Sequence, residues 1–530
     1  MSQKDKSDRR LTRGAGILMP ISSLPSPYGI GTLGKEAYRF ADFVKKTGGM
    51  YWQVLPIGPT SYGDSPYQSF SAFAGNPYFI DLDILCEEGL LTKEEITEKN
   101  WGERPDRVDY EKIYNNRFEV LKLAFSRSKH EKTAAYKKFE ESNAFWLMDY
   151  SFYMAVKKHF NDKSWQEWDD DIRLRKETAV KKYEKALKKE IDFYKWLQFK
   201  FDEQWKKLKA YVNELGIKII GDIPLYVALD SSDVWVHSDL FELDEDLREK
   251  NVAGVPPDLF SETGQRWGNP LYRWDVMEKD GFGWWKERMK SCAYHYDIIR
   301  IDHFIGVVNY YSIPAACKTA MVGKWKKGPG KKLTEMINAN IGDAQIIAED
   351  LGVLTKPVKD LIAANGYPGM KILLFAMDLK PNNDYLPHNF ESPNSIVYIG
   401  THDNDTLVGA LASIPEPQQR KIANYYYAEN PYGIASAMIR SVYASVADVC
   451  ILQMQDMLYL DNNARMNTPS TLGGNWLWRL CDDQYIRIDT EHYSAMAKMY
   501  GRSPETEEEE EEKDGEAKAK PKKAKTTKTK

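Results

Sequence analysis

Residues 296–304 read Y-D-I-I-R-I-D-H-F, a short apolar run that closes on a carboxylate. Ile298, Ile299 and Ile301 are the β-branched residues expected of a strand covered on both faces. A period of two places Arg300 and Asp302 on one side, where the guanidinium keeps the aspartate ionised. Taken alone, a strand-end aspartate is more often a helix N-cap or half of an ordinary ion pair. The pattern recurs, however, as I-I-G-D at 219–222, I-I-A-E at 346–349, and an apolar run at 396–399 followed by G-T-H-D at 400–403. Parallel α/β folds gather the C-terminal ends of their strands on one face, so acids far apart in sequence converge on one cavity.

Further apolar runs predict strands at 16–20 (G-I-L-M-P), 51–56 (Y-W-Q-V-L-P), 218–227, 370–377 (M-K-I-L-L-F-A-M), 396–403 and 446–457. With the runs that end at Asp302 and Glu349, these make eight. The first two flank an amphipathic helix containing Ala37, Phe40, Phe43 and Val44, which makes a βαβ unit. Between 83 and 216 the strand signal gives way to helical patterns at 145–160 and 178–215. Two long stretches, 58–78 and 258–274, are rich in turn formers and aromatics and read as loops after strands, where function concentrates. The expectation is a (β/α)8 TIM barrel over 14–500, with a large helical insertion at 83–216 between strands two and three and long strand-end loops. Residues 501–530 turn from an acidic block into alternating Lys, Ala and Thr, which predicts a disordered charged tail.

Composition excludes several classes. A net charge of −5 and a pI near 6.0 give no reason to expect nucleic acid or an anionic membrane as partner. Five scattered cysteines without C-x-x-C spacing argue against a disulfide framework or zinc site and favour a reducing, cytoplasmic setting. Residues 1–13 lack an apolar signal region, and no run of about 18 apolar residues occurs. The 15 Trp and 32 Tyr suit sugar rings, whose C–H faces pack on aromatic planes. Length alone leaves open one elaborated barrel or two to three separate domains.

Seven motifs occur in order: S-P-Y at 65–67, G-D-I-P at 221–224, S-E-T-G-Q-R-W-G-N-P-L-Y at 261–272, R-I-D-H-F at 300–304, A-E-D-L-G at 348–352, T-H-D-N at 401–404 and G-N-W-L-W-R at 474–479. On these the chain resembles, from about 14 to about 500, the amylomaltases or disproportionating enzymes, the 4-α-glucanotransferases of glycoside hydrolase family 77. The resemblance implies an α-retaining transfer between maltooligosaccharides or longer α-1,4-glucans, with no metal or cofactor. Asp302 would be the nucleophile, Glu349 the general acid then base, and Asp403 the stabilising acid. A retaining pair wants one ionised and one protonated carboxyl about 5 to 5.5 Å apart. The resemblance places Tyr67, Asp222, Arg300 and His402 around the donor sugar and Trp267 on the acceptor side; the same 258–274 stretch offers Phe260 for holding the acceptor, and Asn269 as a further substrate-binding residue.

The chain departs from the pattern at Ser470, where glycine is often expected, in its charged tail, and in beginning strand one without the N-terminal carbohydrate-binding modules of longer relatives. Rival readings are an α-glucan hydrolase on the same barrel, a magnesium-dependent enolase-type barrel using Lys371 on strand six, and a non-catalytic glucan-binding protein.

Overall fold

Eight short strands, nearly all buried, form one parallel sheet: β1 (Gly14–Leu18), β2 (Tyr51–Gln53), β3 (Lys218–Ile223), β4 (Ile298–Ile301), β5 (Gln345–Ala348), β6 (Gly369–Ile372), β7 (Ser395–Tyr398) and β8 (Val449–Gln453). The computed structural model describes residues 10–61, 63–257, 261–352 and 354–504. Each strand lies beside its neighbour in sequence, and β8 returns to β1 through the register Ile17↔Leu452. Between β5 and β6 the ring is drawn together where Ala348 N–H donates to Pro368 O at 3.1 Å and Met370 N–H donates to Asp350 Oδ1 at 2.7 Å. The result is a (β/α)8 barrel whose strands are buried on both faces: Ile220 and Ile347, on the side of Asp222 and Arg300, fill the interior, while Ile299 and Val397 face the surrounding helices.

The first crossover helix, Lys35–Lys46, buries Ala37, Phe40, Phe43 and Val44 as its periodicity predicts. Between β2 and β3 the described elements are helical, the longest being Tyr110–Arg127, Leu147–His159 and Lys188–Glu214. Residues 178–215, read as one helix, form two, Glu177–Ala186 and Lys188–Glu214. The sequence there has no breaker. Packing sets the joint: the first helix buries only Ala179, whereas the second buries Ile191, Phe193, Tyr194 and Trp196. No described helix is long and apolar enough to cross a membrane.

The stretch 258–274 is not a loop throughout. Gln265–Pro270 is an edge strand of a second, antiparallel sheet, followed in order by Asn251–Val255, Asn309–Pro314 and Lys324–Lys327. Q-R-W-G-N-P has no apolar alternation, so its pairing with Asn251–Val255, rather than its own pattern, makes it a strand. Two barrel strands are shorter than their apolar runs, because burial continues into a 3₁₀ turn at Leu373–Ala376 and a helical turn at Met454–Met457. Of the tail expected at 501–530, residues 501–504 are ordered against the barrel, where Arg502 is buried and donates to the carbonyls of Tyr443, Ser445 and Ala447; residues from 505 onward lie outside the described residues.

Candidate active site

The register of the barrel decides which acids meet. Asp222 pairs with Arg300 across β3 and β4, and Ile301 pairs with Ala348 across β4 and β5. Asp302 and Glu349 are therefore the first residues beyond matched positions on neighbouring strands. One guanidinium links the ends of two strands: Arg300 Nη1 donates to both Asp222 oxygens at 2.6 and 2.7 Å, while Nη2 lies 3.1 Å from Asp302 Oδ1. Arg300 and Asp222 are buried, but the Asp302 side chain keeps 32% of its exposure. Burial opposes the charge on Arg300, and the carboxylates of Asp222 and Asp302 outweigh it, raising the guanidinium above its ordinary value.

Glu349 is held by main chain. His303 N–H donates to Oε2 at 2.7 Å and Leu351 N–H to Oε1 at 2.8 Å. His303 adopts φ +51°, a left-handed conformation rare for a non-glycine residue, in the turn that aims its amide at the acid. Burial first, and the charge of Asp302 second, push the Glu349 carboxyl up to about 8, against Arg300 and the two amides. A proton donor thus sits beside an ion-paired carboxylate at neutral pH.

Asp403, beyond β7, behaves oppositely. His402 Nε2 lies 3.4 Å from its Oδ2, and Asn467 Nδ2 donates to Oδ1 at 2.6 Å. Burial is the largest influence and opposes its charge, but His402 and Asn467, with Arg300 beyond them, outweigh it and bring the carboxyl to about 2. Arg465 holds the Asp403 carbonyl at 2.8 Å and pairs with Asp405, fixing the turn.

The remaining expected residues are placed as follows. Tyr67 donates to Asp222 Oδ2 at 2.9 Å and stacks on His402, with ring centroids 5.2 Å apart and planes 19° apart. Trp267, on the strand Gln265–Pro270, meets the His303 ring edge-on at 4.8 Å. Asn269 is buried with both ends of its amide engaged, donating to Val227 O at 2.8 Å and accepting from Gln68 at 3.2 Å, so it ties loop to strand. Phe260 lies outside the described residues. Lys371 stands over the rings of Tyr385 and Phe390. Among the described residues no cluster of His, Cys, Asp or Glu could hold a metal ion.

Sequence reading missed three participants. Asn467 holds Asp403, Trp476 closes an aromatic group with Tyr67 and His402 at 5.9 Å from each, and His303 joins Trp267 to Glu349. His303 and Trp476 lay inside motifs and Asn467 in the loop that carries Ser470, but none ends an apolar run.

A family model described as 4-alpha-glucanotransferase matches residues 19–484. The chain belongs to the 4-alpha-glucanotransferase family. Its relatives include the 4-alpha-glucanotransferase of Clostridium butyricum, 49% identical over 486 residues, covering 91% of this chain and all of that one. The 4-alpha-glucanotransferase of Thermus thermophilus is 44% identical over 502 residues, covering 92% and 98%. Among solved structures, the amylomaltase from Streptococcus agalactiae in complex with acarbose superposes with a TM-score of 0.90 at 40% identity, covering 93% of this chain and all of that one. Family membership decides between the readings the residues left open: the protein is a 4-alpha-glucanotransferase-family enzyme acting on α-1,4-glucans.

Proposed function

We propose that the enzyme moves a glucan segment from one α-1,4-glucan to another by a retaining double displacement through an ester on Asp302. The observation that carries this is the contrast at adjoining strand ends, where Glu349 keeps its proton up to about 8 while Asp302 faces Arg300 at 3.1 Å.

In the first step Asp302 attacks the anomeric carbon from the face opposite the leaving oxygen. The C1–O4 bond breaks, and the Glu349 proton goes to that oxygen, so the reducing-end fragment leaves as a neutral alcohol. Ester formation removes the charge of Asp302, which is the second influence holding Glu349 high. Its proton affinity falls as its task changes from acid to base. In the second step the 4-hydroxyl of an acceptor attacks C1, Glu349 takes its proton and the bond to Asp302 breaks. Two inversions retain the α configuration.

Asp403, held ionised, accepts from sugar hydroxyls and faces the positive charge that develops on the ring. Tyr67, Asp222, Arg300 and His402 line the donor sugar. Trp267 and Phe260 hold the acceptor sugar, which displaces water and makes transfer prevail over hydrolysis. Asn269 supports that side from behind. Acarbose in the Streptococcus agalactiae relative supports oligosaccharide ligands here. The same reading treats residues 14–500 as one catalytic barrel with 83–216 as its insertion.

The test uses Glu349→Gln with two donors. Turnover of maltotriose should be lost, while an α-glucosyl fluoride, whose leaving group needs little protonation, should still label Asp302 and raise the mass of its peptide. Equal loss on both donors would refute the acid role. Wild type should convert maltotriose into glucose and a ladder of longer chains, and steady release of reducing ends without longer products would make it a hydrolase instead.

A further inference from the structure

The connection between β7 and β8 exposes tyrosines that neither packing nor backbone preference explains. Tyr427 follows the helix Glu416–Tyr426 at φ +52°, a cap position suited to glycine or asparagine, and its side chain is 98% exposed. Tyr432, in the first turn of the helix Pro431–Ala444, is 68% exposed and meets the ring of Tyr459 at 6.1 Å. Tyr459 is itself left-handed, at φ +53°. Tyr425 is also exposed, its hydroxyl 2.7 Å from His388 Nδ1.

These rings stand at the end of the barrel that carries Asp302, Glu349 and Asp403. The far end of the helix Pro431–Ala444 leads through Ser445 and Ala447, whose carbonyls accept from Arg502, to Asp448, which opens β8 by accepting from Gly14 N–H. Fourteen helical residues span about 21 Å, so Pro431 and Tyr432 lie at the opposite end, beside Tyr459, which follows the C-terminal end of β8. Tyr459 is joined to the site by the segment that ends on Asn467, the residue bonded to Asp403, a chain length of at most about 28 Å.

We propose that Tyr427, Tyr432 and Tyr459 form an accessory surface on which a long α-1,4-glucan lies while another part of the chain occupies the mouth. Exposed phenol rings pack on the C–H faces of glucose and offer hydroxyls to its oxygens, and the substrate class of the family supplies a neutral polymer that continues beyond the mouth. The inference rests on membership of a family acting on α-1,4-glucans, and not on the roles given to Asp302 and Glu349.

The test compares Tyr427→Ala/Tyr432→Ala and Tyr427→Phe/Tyr432→Phe double variants of the full chain with wild type. Alanine should weaken retardation in an amylose-containing native gel and raise KM for amylose roughly tenfold, the scale of two ring contacts, with kcat and all maltotriose kinetics unchanged. The phenylalanine variant should stay close to wild type. Unchanged amylose binding, an equal rise of KM on amylose and maltotriose, or loss by phenylalanine as large as by alanine would overturn the proposal. So would a concentration-dependent wild-type dimer that dissociates in the alanine variant, since a second copy would then cover the surface. Maltotriose disproportionation by wild type is the control that separates failure of this surface from failure of the transfer reaction.

Discussion

Replacing Glu349 with glutamine should stabilise the fold at neutral pH and destabilise it in acid. In the folded enzyme the carboxyl is pushed from its ordinary 4.5 to about 8, so between those values the unfolded chain has released a proton that the folded chain keeps. The unfolded state binds fewer protons there, and stability falls as pH rises, by about 1.4 kcal/mol per pH unit. At pH 7 the folded state therefore carries a penalty of roughly 3 kcal/mol that is absent below the unfolded value. Glutamine does not titrate and escapes it. Its amide accepts only one of the two main-chain bonds from His303 and Leu351 and turns an NH₂ toward the other, a loss of about 1–2 kcal/mol at every pH. The variant should be the less stable protein near pH 4.5 and the more stable one, by about 1–2 kcal/mol, at pH 7, with the two curves crossing between. Denaturant titrations followed by tryptophan fluorescence from pH 4.5 to 8 read this directly, because groups unaffected by the substitution cancel in the difference. A difference that stays flat across that range would refute the elevated proton affinity of Glu349.

Three further outcomes follow from the same geometry. Wild-type kcat/KM for maltotriose should fall above about pH 8 as Glu349 loses its proton, while Asp403, at about 2, contributes no acid limb above pH 3; a profile flat to pH 9.5 would remove Glu349 as the acid. Trp267→Ala, which deletes the ring beside His303, should raise hydrolysis relative to transfer by losing about 1 kcal/mol of acceptor stacking, read as reducing ends against ladder products. Ser470→Gly should stabilise the protein by about 0.5 kcal/mol, since Ser470 sits at φ +64° where glycine has no penalty; destabilisation would show that the serine side chain shapes the loop.

The barrel was legible because its strands are buried on both faces and therefore written as β-branched runs, with the acids as punctuation at Asp222, Asp302, Glu349 and Asp403. Strand order followed as well, since consecutive βα units place consecutive strands side by side. Three features were not legible. The strand carrying Trp267 owes its conformation to Asn251–Val255 rather than to its own residues. The ends of β6 and β8 were overrun because turns beneath a covering layer are as apolar as the strands they follow. Asn467 and His303 act through a single amide each, one in a side chain and one in the backbone, and a polar residue in a loop carries no pattern that marks which group it serves.

That both contacts to Glu349 come from the backbone has a bearing on how the enzyme can diversify. A side-chain donor could be exchanged by one codon change, shifting the operating pH of a lineage in a single step. Amides at 303 and 351 survive every substitution but proline, so their share in the proton affinity of Glu349, a lowering that tempers burial and Asp302, is inherited with the turn itself. Variation at those two positions should leave the alkaline limb of the rate profile in place, and a library that spares proline would expose any exception. Natural drift and laboratory selection toward a new pH range are left with fewer routes: the hydration of the site, or the charge of its neighbour on β4.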